Sequence, residues 1–466
     1  MSVGLARVTI SAPHRRMDVA LPEQVPLVEL LPDVLRHAGE GLADDGEQHG
    51  GWLLRRTDGT ALHTAQALLP QGVRDGEVLH LVPARAQWPE LEYDDVVEAI
   101  ADGARRRGTP WSPTATRVTT LVGAGVPLAV GLFAVLTAGP EHPGRWPVAV
   151  ALALSLTLAG TVASRAYGDG RVGATLGGYA LPYAFAAGAL GVGSGDPVGP
   201  VPGLRWLGAP ELLAGTVVLL LVAVLGLLGV AARLRVFVAG ATVGLVGAVA
   251  AVGGSTLEPA ATAAILFGVL VLTVGALPLL AIRFGKLPLP PVTLPGGLPD
   301  GSERVRDLPD RARVHAAVAR TEEMLTGLLL GHAVLAVAAT VVLGVAGGTA
   351  GLVLVAVGSA VLLLRSRLFV AVRHRVPPLA AGLLGVTVAG VVLADRAGAA
   401  GPVLSAGAAL VLALVTAAAG TTYARRPVSP YLGRIADLTD TALVVSVVPV
   451  ACAVLGLYDR ARGLLG

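Results

Sequence analysis

One cysteine, Cys452, stands in a chain of 466 residues, which excludes internal disulfides and cysteine-based metal clusters. It lies in an apolar run, where it reads as a small buried hydrophobe. Charge is scarce as well: Asp, Glu, Lys and Arg make up 14% of the chain, against about 25% in ordinary soluble domains. Aromatic residues are 4%, so small side chains must do much of the helix packing. Lysine is almost missing. Lys286 is the only one and all other fixed positive charge is arginine, the bias of a GC-rich genome. A net charge of +3 is too small to argue for a nucleic-acid partner. Catalytic signatures are missing too. The only Gly-Lys pair, Gly285-Lys286, precedes Leu287 rather than Ser or Thr, so there is no phosphate-binding loop. No HExxH and no GxSxG occurs. No catalytic, cofactor-binding or metal-binding residue is therefore expected, and any energy must come from a partner.

What is abundant is apolar: 54% of residues are hydrophobic and the mean hydropathy is +0.71, placing the chain in the membrane class. Its first 25 residues nevertheless lack a long apolar core behind a basic start. A cleaved signal peptide is not expected, and the amino terminus is expected to stay in the cytoplasm.

Residues 1–85 follow the grammar of a soluble domain. LARVTISAP (5–13) and RRMDVALP (15–22) predict two strands, paired as a hairpin through Pro13 and His14. In PLVELLPDVLRHAG (26–39), Leu27, Leu30, Leu31, Val34 and Leu35 fall at helical spacing and Gly39 is a natural stop, with a start or kink expected at Pro32. WLLRRTDGTAL (52–62) predicts a strand and an Asp-Gly turn. PQGVRDGEVLHLVP (70–83) supplies turn formers and a last strand. Hairpin, helix, then further strands is the order of a ubiquitin-like β-grasp (α+β) domain. Conjugation to other proteins is excluded, because the last strand runs on into the chain and Gly50-Gly51 is internal. Residues 86–117 predict a linker whose helix, DDVVEAIADGARRRG (94–108), opens on acids and ends on Arg105–Arg107, as a helix dipole favours. It is either a solvated linker or a segment lying on the membrane. Trp111 and Arg117 sit where interfacial anchors are expected.

From 118 to 466 an all-α polytopic domain is expected. Eleven apolar stretches are long enough to cross a bilayer: 118–138, 147–164, 172–192, 212–231, 236–254, 260–281, 325–343, 348–364, 376–394, 402–420 and 439–457. One large loop, 282–324, follows the sixth. Alternate loops hold Arg165 and Arg171; Arg233 and Arg235; Arg283, Lys286, Arg304, Arg306, Arg311, Arg313 and Arg320; Arg365, Arg367, Arg373 and Arg375; Arg425, Arg426 and Arg434. The opposite loops hold Arg145, Arg205 and Arg396. The positive-inside rule puts the first set and the head in the cytoplasm and the tail outside, although Arg460 and Arg462 run mildly against it.

The span centres carry almost no fixed charge; Glu211, Glu258, Asp395 and Asp440 sit at edges. His332 is the one titratable candidate for a proton relay, and a hydrogen-bonded structural histidine is the commoner outcome. Tyr179 and Tyr183, with Pro182, either line a cavity or simply pack. His315, His332 and His374 lie far apart with no acidic motif linking them, against a lipid-acting enzyme. Gly173/Gly177, Gly240/Gly244 and Gly327/Gly331 are GxxxG pairs expected to serve close helix packing, with no particular dimer contact implied.

Local stretches carry a family resemblance: LPEQVPLVELLPDVL (21–35), YDDVVEAIADGARRRGTPWSP (93–113), FGKLPLPPV (284–292) and ARTEEMLTGLL (319–329). With the order of head, helix, eleven spans and large loop, the whole chain resembles EccD, the multi-span component of actinobacterial type VII (ESX) secretion systems. The resemblance implies a non-catalytic plasma-membrane subunit without cofactors, pairing with a second copy around a lipid-accessible cavity. It also implies docking against the FtsK/SpoIIIE-type ATPase EccC and against EccB- and EccE-type subunits. A secondary transporter with an appended regulatory head is the alternative; it calls for mid-membrane ionisable pairs or broken helices, and neither is clear in the sequence.

Overall fold

Alternating side chains build the first sheet. β1 (Leu5–Ser11) turns Ala6, Val8 and Ile10 to one face, and β4 (Val78–Pro83) does the same with Leu79 and Leu81. In the computed structural model the described residues are 4–13, 15–39, 42, 44, 50–84, 111–141, 144–286, 311–425 and 429–465. They divide into two compact units, Met1–Trp111 and Ser112–Gly466.

In the first unit β2 (Arg16–Pro22) and β3 (Trp52–Arg56) complete a four-stranded sheet of order β2-β1-β4-β3. β1 pairs antiparallel with β2, Val8 opposite Val19, and parallel with β4, Ile10 opposite Leu79. β3 pairs antiparallel with β4, Leu54 opposite Leu81. α1 (Leu27–Ala38) contributes Leu27, Val34 and Ala38 to a core shared with Trp52, Leu54, Leu68 and Leu79. A parallel first and last strand joined through a helix is the β-grasp arrangement.

The segment 70–83 owes its turns to backbone that other residues resist: Gly72 and Gly76 have φ of 68° and 81°. Asp75 Oδ1 accepts from Arg7 N (2.6 Å) and Gly76 N donates to Arg7 O (2.7 Å), which ties this turn to β1 before β4 begins. In the Asp58-Gly59 turn, Thr60 N donates to Asp58 Oδ1 (2.8 Å) and this bond holds the carboxyl below its ordinary pKa. α1 departs from expectation. It starts at Leu27, where Leu27 N and Val28 N donate to Gln66 O and Thr64 O, and runs on through Pro32. Pro32 lies on the exposed side, where water replaces the bond its missing N–H forfeits. The predicted linker helix at 94–108 lies outside the described residues.

The regular elements described in the second unit are helices: α2 (Pro113–Thr137), α3 (Arg145–Arg165), α4 (Gly170–Val192), α5 (Ala209–Gly229), α6 (Leu234–Gly254), α7 (Pro259–Thr273), α8 (Leu277–Gly285), α9 (Arg311–Ala346), α10 (Gly348–Arg365), α11 (Val372–Arg396), α12 (Gly401–Arg425), α13 (Pro430–Val454) and α14 (Leu457–Leu465). Ten helices among the described residues are long and apolar enough to cross a membrane, with α7 and α8 counted as one. The third of the eleven expected spans is missing from that set. α4 has the length but is diluted by Gly173, Gly177, Gly178, Tyr179 and Tyr183. Those residues are spent on packing: α4 has twelve buried positions and touches α3, α5 and α6.

Several boundaries differ from expectation for local reasons. α2 begins at Pro113 rather than 118 because Ser112 Oγ accepts from Ala115 N (3.1 Å) and Pro113 takes the first helical position. The sixth span is interrupted by a 3₁₀ turn, Val274–Ala276, ahead of Pro278. The loop expected at 282–324 is helical at both ends, since α8 reaches Gly285 and α9 opens at Arg311 in RARVHAAVARTEE, a run of good helix formers. α13 begins at Pro430 rather than 439, behind the Ser429 cap, and Cys452 on it is half-buried. The largest core joins α7, α9, α10, α11 and α13 through Phe267, Leu335, Leu343, Leu354, Leu362 and Val447. α2 has no buried residue and α12 is almost wholly exposed.

Candidate functional site

Several of the polar side chains inside the helical unit are tied to backbone. His332 is buried on α9, and its Nε2 lies 2.8 Å from Leu270 O on α7. Tyr179 and Tyr183, one turn apart on α4, donate to Leu121 O (2.9 Å) and Leu128 O (2.7 Å) of α2. Gly125 and Gly131 leave room for these hydroxyls: a Cβ at either would lie within 2.6–3.0 Å of one. Packing accounts for both tyrosines. His315 is exposed about 25 Å along α9 from His332, and His374 is buried on α11. Among the described residues no three His, Cys, Asp or Glu side chains gather as metal ligands.

The GxxxG pairs mark crossings within one chain. A Cβ at Gly173 would stand 2.6 Å from Gly160 O of α3, one at Gly244 2.7 Å from Leu220 of α5, and one at Gly331 2.7 Å from Ala239 O of α6. Glycine here lets backbones meet directly.

Charge gathers at a single end of the bundle, and the acids there are what the sequence reading missed. Glu323 of α9 accepts from Arg235 N (3.2 Å) and pairs with the Arg235 guanidinium (3.4 Å) at the start of α6. Its neighbour Glu322 pairs with Arg373 at the start of α11. Between α10 and α11, Arg367 pairs with Asp437 of α13 (2.5 Å), and Arg365 with Asp440 (3.4 Å). Arg365 also donates to Val271 O (3.2 Å) and Leu272 O (3.3 Å), in the last turn of α7 before the 3₁₀ break. With His332 on Leu270, the break is thus stapled from α9 and α10. α6, α9, α10, α11 and α13 are clamped together where the positive-inside rule puts the cytoplasm.

The Arg365–Asp440 pair is the most enclosed of these, at 17% and 21% side-chain exposure. Arg365→Ala leaves Asp440 alone and frees two carbonyls, so it is expected to cost about 3 kcal/mol, near the low end for breaking a buried pair. Asp440→Ala should cost less. Thermal unfolding of both variants and of the double variant in detergent measures this, and the double variant should fall short of the sum.

Comparison with known proteins places both units. Residues 116–464 match the family described as EccD-like transmembrane domain, and residues 5–81 match WXG100 protein secretion system (Wss), protein YukD. The chain is 30% identical over 477 residues to the ESX-4 secretion system protein eccD4 of Mycobacterium tuberculosis, covering 99% of this chain and 98% of that protein. To the ESX-1 secretion system protein EccD1 of the same organism it is 26% identical over 521 residues, covering 98% and 95%. Among solved structures it resembles protomer 1 of the ESX-3 core complex (TM-score 0.58, 23% identity, 98% of this chain and 100% of that one). It also resembles a chain of the MycP5-free ESX-5 inner membrane complex (TM-score 0.52, 20% identity, 89% and 99%). With a YukD-type ubiquitin-like head, a helical unit matched almost end to end and relatives aligned over nearly their full lengths, this chain belongs to the EccD family, the multi-pass membrane components of ESX, or type VII, secretion systems.

Proposed function

We propose that the chain is a non-catalytic subunit of a type VII secretion machine in the plasma membrane. Its spans form, with a second copy, the wall of a dimeric scaffold or conduit. Its ubiquitin-like head docks the soluble parts of an EccC-type FtsK/SpoIIIE ATPase and of EccB- and EccE-type subunits. The head and the arginine-rich edge face the cytoplasm, and the carboxyl terminus faces outward.

The observation that carries this reading is the division of labour within the chain. The bundle is clamped by ion pairs at one end, and its buried His332 is bound to the Leu270 carbonyl, which suits a structural role better than a proton relay. α2 has no fully buried residue and α12 is almost wholly exposed, so their outward apolar surfaces are left for lipid or another subunit. The head has its own core and no membrane-spanning helix among its described residues, which suits a grip on soluble partners. The related chains come from a core complex and an inner membrane complex, which supports work within an assembly. The experiment is purification of the complex from native membranes with and without the head; loss of the ATPase is expected.

A further inference from the structure

The α3–α4 and α5–α6 connections meet at one corner of the arginine-rich edge. A Cβ at Gly170 would lie 2.6 Å from the Ala232 Cβ, which sets Arg171 and Arg233 side by side. The second connection is held tightly. Ser164 Oγ donates to Val230 O (2.6 Å), and Arg165 donates to Gly229 O (2.7 Å) and Leu228 O (2.8 Å). Ala231 and Arg233 both take left-handed backbone, φ 50° and 46°, a conformation that costs non-glycine residues about 1 kcal/mol or more.

The cations here outnumber the anions. Arg117 is taken by Asp169, which also caps α4 by accepting from Val172 N (3.1 Å). Arg235 is taken by Glu323, and Arg165 is spent on the carbonyls ending α5. Arg171 and Arg233 have no carboxylate partner among the described residues. Partial burial, with Arg235 and Arg171 nearby, presses the Arg233 pKa below its ordinary value. α4 and α6 both begin at this corner, and their N-terminal ends add positive potential.

We propose that Arg171, Arg233 and Arg235 form a binding site for the phosphate of an anionic phospholipid, at the ends of α5 and α6, both long and apolar enough to cross a membrane. Two guanidiniums without a carboxylate partner among the described residues supply the charge and hydrogen bonds that a phosphate diester takes, and basic pockets between helices at a membrane edge suit such headgroups. Standing at the ends of apolar, membrane-length helices, the site lies at the level of lipid headgroups rather than in open water. The site goes beyond the docking role of the head and stands whether or not that role does.

The test uses the full chain in nanodiscs, following thermal unfolding as phosphatidylglycerol replaces phosphatidylcholine, with lipid retention read by native mass spectrometry. The wild type is expected to be stabilised and to retain phosphatidylglycerol. Arg171→Gln with Arg233→Gln should need about 30-fold more of it, the product of two basic contributions near an anionic surface. Arg375→Gln, an exposed arginine of α11 with no carboxylate partner among the described residues, should behave as wild type. Arg171→Lys with Arg233→Lys should keep most of the response, which separates charge from folding if the glutamine variant is unstable. Equal response of the wild type to the two lipids, or an undiminished response in the glutamine variant, overturns the site. Equal protection by inorganic phosphate in phosphatidylcholine discs overturns the lipid assignment in favour of a free anion. Loss of a co-purifying subunit with lipid retention intact would assign the corner to a protein partner and likewise overturn it.

Discussion

Replacing residues 1–85 with an unrelated soluble domain is expected to strip the secretion ATPase from complexes purified through the membrane unit. The helices themselves should remain folded. The two units have separate cores: the head is held by Val8, Ile10, Leu27, Trp52, Leu54 and Leu79, and the largest helical cluster by Phe267, Leu343, Leu354 and Leu362. Removing one core costs the other nothing directly. Docking energy concentrates in a few anchor residues, so loss of the whole head surface should weaken retention by about a hundredfold, equivalent to about 3 kcal/mol. Quantitative mass spectrometry of the purified complex measures this, with size-exclusion of the membrane unit as the folding control. Undiminished ATPase would show that the spans alone recruit it.

Gly331→Leu should be among the most damaging single substitutions in the bundle. At that position a first side-chain carbon would already lie 2.7 Å from both Ala239 O and Thr242 Cβ. One turn away, Gly327 faces Val238 and Arg235 O at 2.6–2.7 Å, and one turn further Glu323 holds Arg235. A leucine must push α9 off α6, at a cost above the roughly 1–3 kcal/mol of ordinary overpacking because rigid backbone stands in the way. It should also break the Arg235–Glu323 pair. Loss of monodisperse protein in detergent is the expected readout. Gly390→Leu on α11, with nothing within 4 Å of an added Cβ, should be nearly neutral.

How much of this was legible in the chain depends on range. The β-grasp head could be read because Val8, Ile10, Leu79 and Leu81 alternate and Asp58-Gly59 and Asp75-Gly76 punctuate the turns, all local signals. The passage of α1 through Pro32 could not be, since tertiary burial of Leu27, Val34 and Ala38 outweighs the local penalty. α4 is legible as an apolar stretch of spanning length, although its hydropathy undersells it, because its glycines and tyrosines serve neighbours rather than lipid. The cap at Ser112-Pro113 was visible and would have set the start of α2. The partners of the edge arginines were not. Arg235 and Glu323 are 88 residues apart, and Arg365 and Asp440 are 75, so only the fold could name them. The staples on the broken sixth span, His332 and Arg365, were hidden for the same reason.

The sidedness of the clamped, arginine-rich edge ties head, bundle and partners into one account. Epitopes placed ahead of Leu5 and after Leu465, probed with protease on right-side-out spheroplasts, test it most directly. The account predicts that the amino-terminal epitope stays protected until the membrane is opened, while the carboxyl-terminal epitope is digested at once. Digestion of the amino-terminal epitope on sealed cells would put the head outside, away from any cytoplasmic ATPase, and contradict the account.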